Sequence, residues 1–129
     1  MFPRSEPARH RALKIATSAT GLADKAVSLF YEKRLHAQTS DVWVERCRAQ
    51  ISGVLGALEA DRAQRASSYW FGERIGHADI AVGAALRFLG EAHPGLVAMA
   101  QYPRLAAHTA RLEALPVFRK IVQPFNAPA

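Results

Sequence analysis

The stretch Phe71-Gly72-Glu73-Arg74-Ile75-Gly76-His77-Ala78-Asp79-Ile80-Ala81 decides how the chain folds. With Gly76 as N-cap, Asp79 is the third helical residue, and its carboxylate can accept from the Gly76 backbone N–H. That is one half of a capping box. Glycine instead of serine or threonine gives up the reciprocal side-chain bond, at a cost of only a few tenths of a kcal/mol. Ile75 and Ile80 flank the cap as a hydrophobic staple. Asp79 is therefore read as a helix cap and not as a catalytic acid. Beyond it, from His77 to Glu91, Ile80, Ala81, Val82, Ala84, Ala85, Leu86, Phe88 and Leu89 point in nearly every direction around a helix. A helix apolar all round belongs at the centre of a bundle. Gly83 and the alanines would let neighbouring helices approach closely, and a capped, stapled helix of this kind has the character of a folding nucleus.

Working outward, helical periodicity dominates and strand-like alternation persists nowhere. Upstream, the first long segment runs from about Glu6 to Leu35. Its positions Leu13, Ala16, Ala19, Ala23, Ala26, Val27 and Phe30 recur at the spacing of one helix face. Gly21 interrupts this segment and predicts a bend or a close helix contact. Thr39, Ser40 and Asp41 form an N-cap cluster. The helix they open places Val44, Cys47, Ile51, Val54, Leu55 and Leu58 on one stripe and fades near Arg65. Tyr69, Trp70 and Phe71 make an aromatic cluster suited to packing the following connection onto the bundle. Downstream, Pro103 and Pro116 suit the first positions of two shorter helices. Leu105, Thr109 and Leu112 are expected to face inward in the first, and Val117, Phe118 and Ile121 in the second. The tail from Pro124 to Ala129 is expected to fray. The expectation is all-α: one domain over residues 1–129, a bundle of about five helices around a buried central one.

Composition agrees. Half of the 129 residues are hydrophobic, enough for a core without disulfides or metal. Cys47 is the one cysteine, as a reducing compartment would suit. No apolar run approaches the roughly 20 residues that span a bilayer, and a cytoplasmic, soluble protein with no membrane partner is the expectation. The formal charge of +6 raises the question of nucleic acid. The arginines, however, sit singly or in pairs along the chain among acidic neighbours, without a basic stripe.

The quoted stretch resembles the buried-helix N-capping motif of glutathione S-transferases. Their pattern runs Gly, an acidic residue, two residues, Ser or Thr, any residue, Ala-Asp, then an apolar residue. Gly76 is the departure from it. Tyr102-Pro103-Arg104-Leu105, Arg111-Leu112 and Leu115-Pro116-Val117-Phe118 look like the family's last pair of helices. Gly21 to Asp24, with Glu32, is similar to the first helix of bacterial members, and Met1-Phe2-Pro3 resembles the segment after the interdomain linker. The resemblance implies the all-helical C-terminal domain, bacterial type, lacking the thioredoxin-like domain. In this family that other domain binds glutathione, the co-substrate, and activates its thiol. The chain is thus expected to be truncated or a fragment, to hold no cofactor and no catalytic residue, and to be inactive alone. By position in the family, one wall of the electrophile pocket would come from Thr20, Asp24, Val27 and Tyr31, which share one helix face. The expected partner is the missing thioredoxin-like domain or another protein, and the resemblance also allows a homodimer.

Other constellations carry less. Cys47, on the buried stripe, reads as inert core. His10, His36, His77, His93 and His108 show no spacing typical of a metal site and read as surface or capping residues. Two rival functions stand beside the transferase reading. A stand-alone interaction module of the same fold would give a clean complex with a defined partner. A small basic nucleic-acid binder would show steep salt dependence.

Overall fold

A computed structural model describes residues 1–129. Five α-helices and no strands make up the chain: α1 (Ala8–Leu35), α2 (Asp41–Ala63), α3 (His77–Ala92), α4 (Pro103–Glu113) and α5 (Pro116–Ile121), with a 3-10 turn over Met99–Gln101 before α4. The all-helical bundle expected from the periodicity is the observed architecture. α3 packs against α1 and α4, and α2 packs against α1 and α4.

The starts of α2, α4 and α5 each have an identifiable cause. Ser40 caps α2, its side chain accepting from Trp43 N at 3.3 Å. Glu32 ties the α1–α2 turn by accepting from Ser40 N at 2.8 Å, with His36 Nδ1 2.9 Å from its other oxygen. Pro103 and Pro116 open α4 and α5. The α4 N-terminus is capped from another helix, since Glu59 of α2 accepts from Arg104 N and Leu105 N at 2.9 Å each. A carboxylate there satisfies orphan N–H groups and complements the helix dipole.

The core is a cluster of 16 buried residues drawn from α1, α2, α3, α4 and Trp70. On α2 the buried stripe is the expected one, with Cys47, Ile51, Leu55 and Leu58, and it runs one step further to Arg62. On α1 the stripe is rotated from the expectation. The buried residues are Ala12, Ile15, Ala19, Leu22, Ala26 and Leu29, while Leu13 and Val27 are exposed. Ile15, Leu22 and Leu29 carry more apolar surface than the alanines of the expected set, so burying their face gains more.

Four further expectations are corrected. Gly21 neither bends α1 nor meets a neighbour: the helix is continuous, and a β-carbon there would reach open space. α3 is not buried all round, because Ile80 and Ala84 are exposed. In α5, Val117 and Ile121 are exposed and only Phe118 turns inward, against Gly83. The tail has no helical structure but is anchored. Phe125 stacks edge-on to Phe30 and Phe88 at 5.2 and 5.4 Å, and its N–H donates to Glu91 Oε2 at 2.9 Å.

Gly83 serves the close approach read from the sequence. A β-carbon there would lie 2.6 Å from Cδ1 of the fully buried Leu112. Gly83→Ala is expected to destabilise the fold by about 1–2 kcal/mol, overpacking outweighing the gain in helix propensity. Gly21→Ala should stabilise it by about 0.5–1 kcal/mol. Urea denaturation of both variants checks the pair, and equal effects would mean that α3 and α4 are not in close contact at Gly83.

Candidate functional site

The N-terminus of α3 is built around a buried carboxylate. Asp79 is 1% exposed. Its Oδ2 accepts from Gly76 N at 2.8 Å and its Oδ1 from Trp70 N at 2.8 Å. His108 of α4, itself buried, places Nε2 3.2 Å from Oδ1 as a close electrostatic contact. On the far side of that ring, Arg62 Nε donates to His108 Nδ1 at 3.3 Å. A guanidinium only donates, so Nδ1 must be the acceptor, which leaves the ring proton on Nε2, facing Asp79. The result is a buried relay from α2 through α4 to the cap of α3.

Burial is the largest influence on the Asp79 carboxyl and pushes it up. The contact with His108 and the N–H groups of Trp70 and Gly76 together outweigh burial and hold it below the ordinary carboxylate value. Trp70 is fully buried, and its indole N–H donates to Asp61 Oδ1 at 2.8 Å. The aromatic cluster therefore closes the loop through Trp70. A Tyr69–Gly72 bridge, with Gly72 at φ +139°, makes the tight return that places Trp70 inward. Ile75 is half-buried and Ile80 is 37% exposed, both outside the core cluster.

In front of this cap lies an open cleft of about 700 Å³. It is lined by Met1, Phe2 and Pro3 on one side and by Phe71, Ile75 and His77 on the other. Phe2 stacks on His77 at 4.6 Å. The Met1 carbonyl lies where a β-carbon on Gly76 would come within 3.0 Å of it, which accounts for the missing N-cap side chain.

Thr20, Asp24, Val27 and Tyr31 lie together on the face of α1 opposite its buried stripe, all exposed, with Val27 at 38% and Tyr31 at 44%. Local bonds hold this face in order, with Thr20 Oγ1 donating to Thr17 O and Ser28 Oγ to Asp24 O at 2.9 Å each. None of the four lines the cleft at the α3 cap.

The family model described as the glutathione S-transferase C-terminal domain matches residues 41–111. The chain belongs to this family. Among solved structures, it is similar to a glutathione S-transferase from Methylobacterium radiotolerans in complex with glutathione sulfonate, at 27% identity and a TM-score of 0.88, over 99% of this chain and 60% of that one. A glutathione transferase family member from Pseudomonas fluorescens with bound glutathione is 31% identical, at a TM-score of 0.84, over 96% and 59%. A glutathione S-transferase from Methylobacillus flagellatus with glutathione bound is 26% identical, also at 0.84, over 92% and 58%. The chain thus spans about 60% of the length of these transferases. No curated protein matches it.

Two members of the Asp79 hub escaped the sequence reading. Arg62 is 8% exposed and His108 2%, and His93 is buried too, with Nε2 donating to Ala26 O at 2.7 Å. The expectation that the histidines are surface or capping groups is corrected for His108, while His93 is buried as the C-cap of α3. A signal was present: Arg62 continues the stripe of Leu55 and Leu58, and His108 lies between Leu105 and Leu112 at helical spacing.

Asp79→Ala leaves two backbone N–H groups without their acceptor and should cost about 2–4 kcal/mol in urea denaturation. The pH dependence carries a sign. A carboxyl lowered below its unfolded value of about 3.8 contributes its stability in full above that value and loses it as pH falls toward the folded value. Asp79→Asn should therefore flatten the acid limb of the stability profile. An unchanged acid limb would exclude Asp79 as its source.

Proposed function

We propose that this chain is the helical half of a glutathione-conjugating enzyme. Glutathione is then the co-substrate, bound and activated by a thioredoxin-like domain, while α1 supplies one wall of the electrophile pocket through Thr20, Asp24, Val27 and Tyr31. The observation that carries the reading is the exposed face of α1. These residues stand in order on the outer side of a rigid 28-residue helix, with Asp24 the one charge among the four. An exposed wall that sets Val27 and the Tyr31 ring beside the polar Thr20 and Asp24 suits an electrophile with an apolar body and a polar group. The glutathione ligands of the similar transferases, and the share of their length that this chain spans, support the same reading.

On this reading the chain has no catalytic activity by itself. Asp79 serves structure and not chemistry, because its carboxylate is occupied by Trp70 and Gly76 and shut off from solvent. The homodimer usual in the family belongs to the two-domain protein.

Two measurements test the proposal. Calorimetric titration of the chain with reduced glutathione is expected to give no saturable heat into the millimolar range, and clear saturation would place a glutathione site in the bundle itself. Fused behind the thioredoxin-like domain of the Pseudomonas fluorescens relative, the chain should support conjugation. Tyr31→Ala should then lower kcat/KM for the electrophile about tenfold, as loss of one pocket contact does, with KM for glutathione unchanged. Unchanged turnover and substrate preference would remove α1 from the pocket.

A further inference from the structure

Four arginines converge on one cleft, from two helices and the loop that follows α2. Arg62 comes from the last turn of α2, Arg65 from the start of the loop that follows it, and Arg104 and Arg111 from one face of α4. Together with Ser67, Ser68 and His108 they line a hollow of about 260 Å³ in which no carboxylate takes part.

The carboxylates nearby are already engaged. Asp61 accepts from Arg65 Nε and the Trp70 indole, and Glu73 accepts from Ser68 N and Oγ. Glu59 caps α4, and Asp79 is enclosed behind His108. Of the four guanidinium groups, only Arg65 has a carboxylate ion pair. Arg62 spends its outer nitrogens on the carbonyls of Arg65, Ser67 and Ser68, and Arg111 Nη1 donates to Ser68 O. Arg104 has no side-chain hydrogen bond within the chain.

Burial, and then the charge of Arg111, push Arg62 below the ordinary guanidinium value; Arg65 and Arg104 add to this, with Asp79 opposing. The positive field in the hollow is therefore not cancelled from within. Arg104, with no internal side-chain bond, and Arg111, with one, offer from the α4 wall the forked donors that suit a tetrahedral oxyanion. A hollow of this size admits one phosphoryl group and a few attached atoms.

We propose that this cleft binds the phosphate group of a small soluble molecule, with Arg104 and Arg111 as the principal donors and Arg62 and Arg65 as the fixed rear wall. The site lies apart from the exposed α1 face and does not depend on the transferase reading.

The test is a nitrogen–proton NMR titration of the full chain with inorganic phosphate and with glycerol 3-phosphate, at constant ionic strength held by sodium chloride. Saturable shifts confined to the end of α2, the Ser67–Ser68 loop and α4 are expected with both probes. Arg104→Gln and Arg111→Gln, at exposed positions that leave the core intact, should each weaken binding about tenfold. Arg104→Lys should keep more of the affinity than Arg104→Gln. Unsaturated shifts into the tens-of-millimolar range, the same shifts with chloride alone, or unchanged affinity in both glutamine variants would overturn the proposal. Tighter binding of a short oligonucleotide than of either phosphate probe would overturn the assignment to a small molecule.

Discussion

The bundle depends on keeping one ion satisfied in its interior. A carboxylate removed from water costs several kcal/mol unless donors replace the water it loses. Asp79 is enclosed at the first turn of α3, so the fold must deliver those donors to a fixed point. Gly76 comes from the same turn and Trp70 from the preceding loop, and His108 of α4 adds a close electrostatic contact. Arg62 of α2 then holds His108 from behind. Three helices and the longest internal connection between them meet at one side chain. Shifting any of them would leave a buried polar group unpaired, a stronger constraint on register than apolar packing gives.

Around that point the packing alternates small and large. The buried face of α1 reads Ala12, Ile15, Ala19, Leu22, Ala26, Leu29. The alanines let α3 come close, and the larger residues fill the spaces on either side. Gly83 does the same toward α4, where Leu112 occupies the place of a side chain. Burying this face fixes which face of α1 remains outside, so the core packing also determines which residues α1 leaves exposed.

The sequence disclosed the fold because its strongest signals were local. The Gly76–Asp79 spacing, the Ser40 cap and the two proline starts each depend on a few adjacent residues. The α2 stripe was legible because one apolar register dominates there. In α1 two registers compete, one with Leu13, Val27 and Phe30 and one with Ile15, Leu22 and Leu29, and only tertiary contact with α3 selects between them. Arg62 and His108 were hidden for a different reason. Polar letters within an apolar stripe read as its edge unless their partners are known, and those partners lie 46 residues apart in the chain. Phe125 was hidden likewise, because a proline-flanked tail carries no periodicity and its anchors, Phe30 and Phe88, are remote.

The same distance effect governs the charge. Along the chain, Arg62 and Arg65 sit between Asp61 and Glu73, and Arg104 and Arg111 are followed by Glu113, so each pair looks like part of a mixed, solvated surface. Folding separates most of these signs, Asp61 and Arg65 excepted. Asp61 is shared between Arg65 and the Trp70 indole, and Glu113 turns to Arg87 at 2.8 Å. Arg62 of α2, Arg65 just beyond it, and Arg104 and Arg111 of α4 line a common hollow. Glu59, Glu73 and Glu113, used as a cap, a loop tie and a partner of Arg87, form no ion pair with Arg62, Arg104 or Arg111. A net charge dispersed in one dimension is thereby concentrated in three, and the polar requirements of the helix termini decide where it collects.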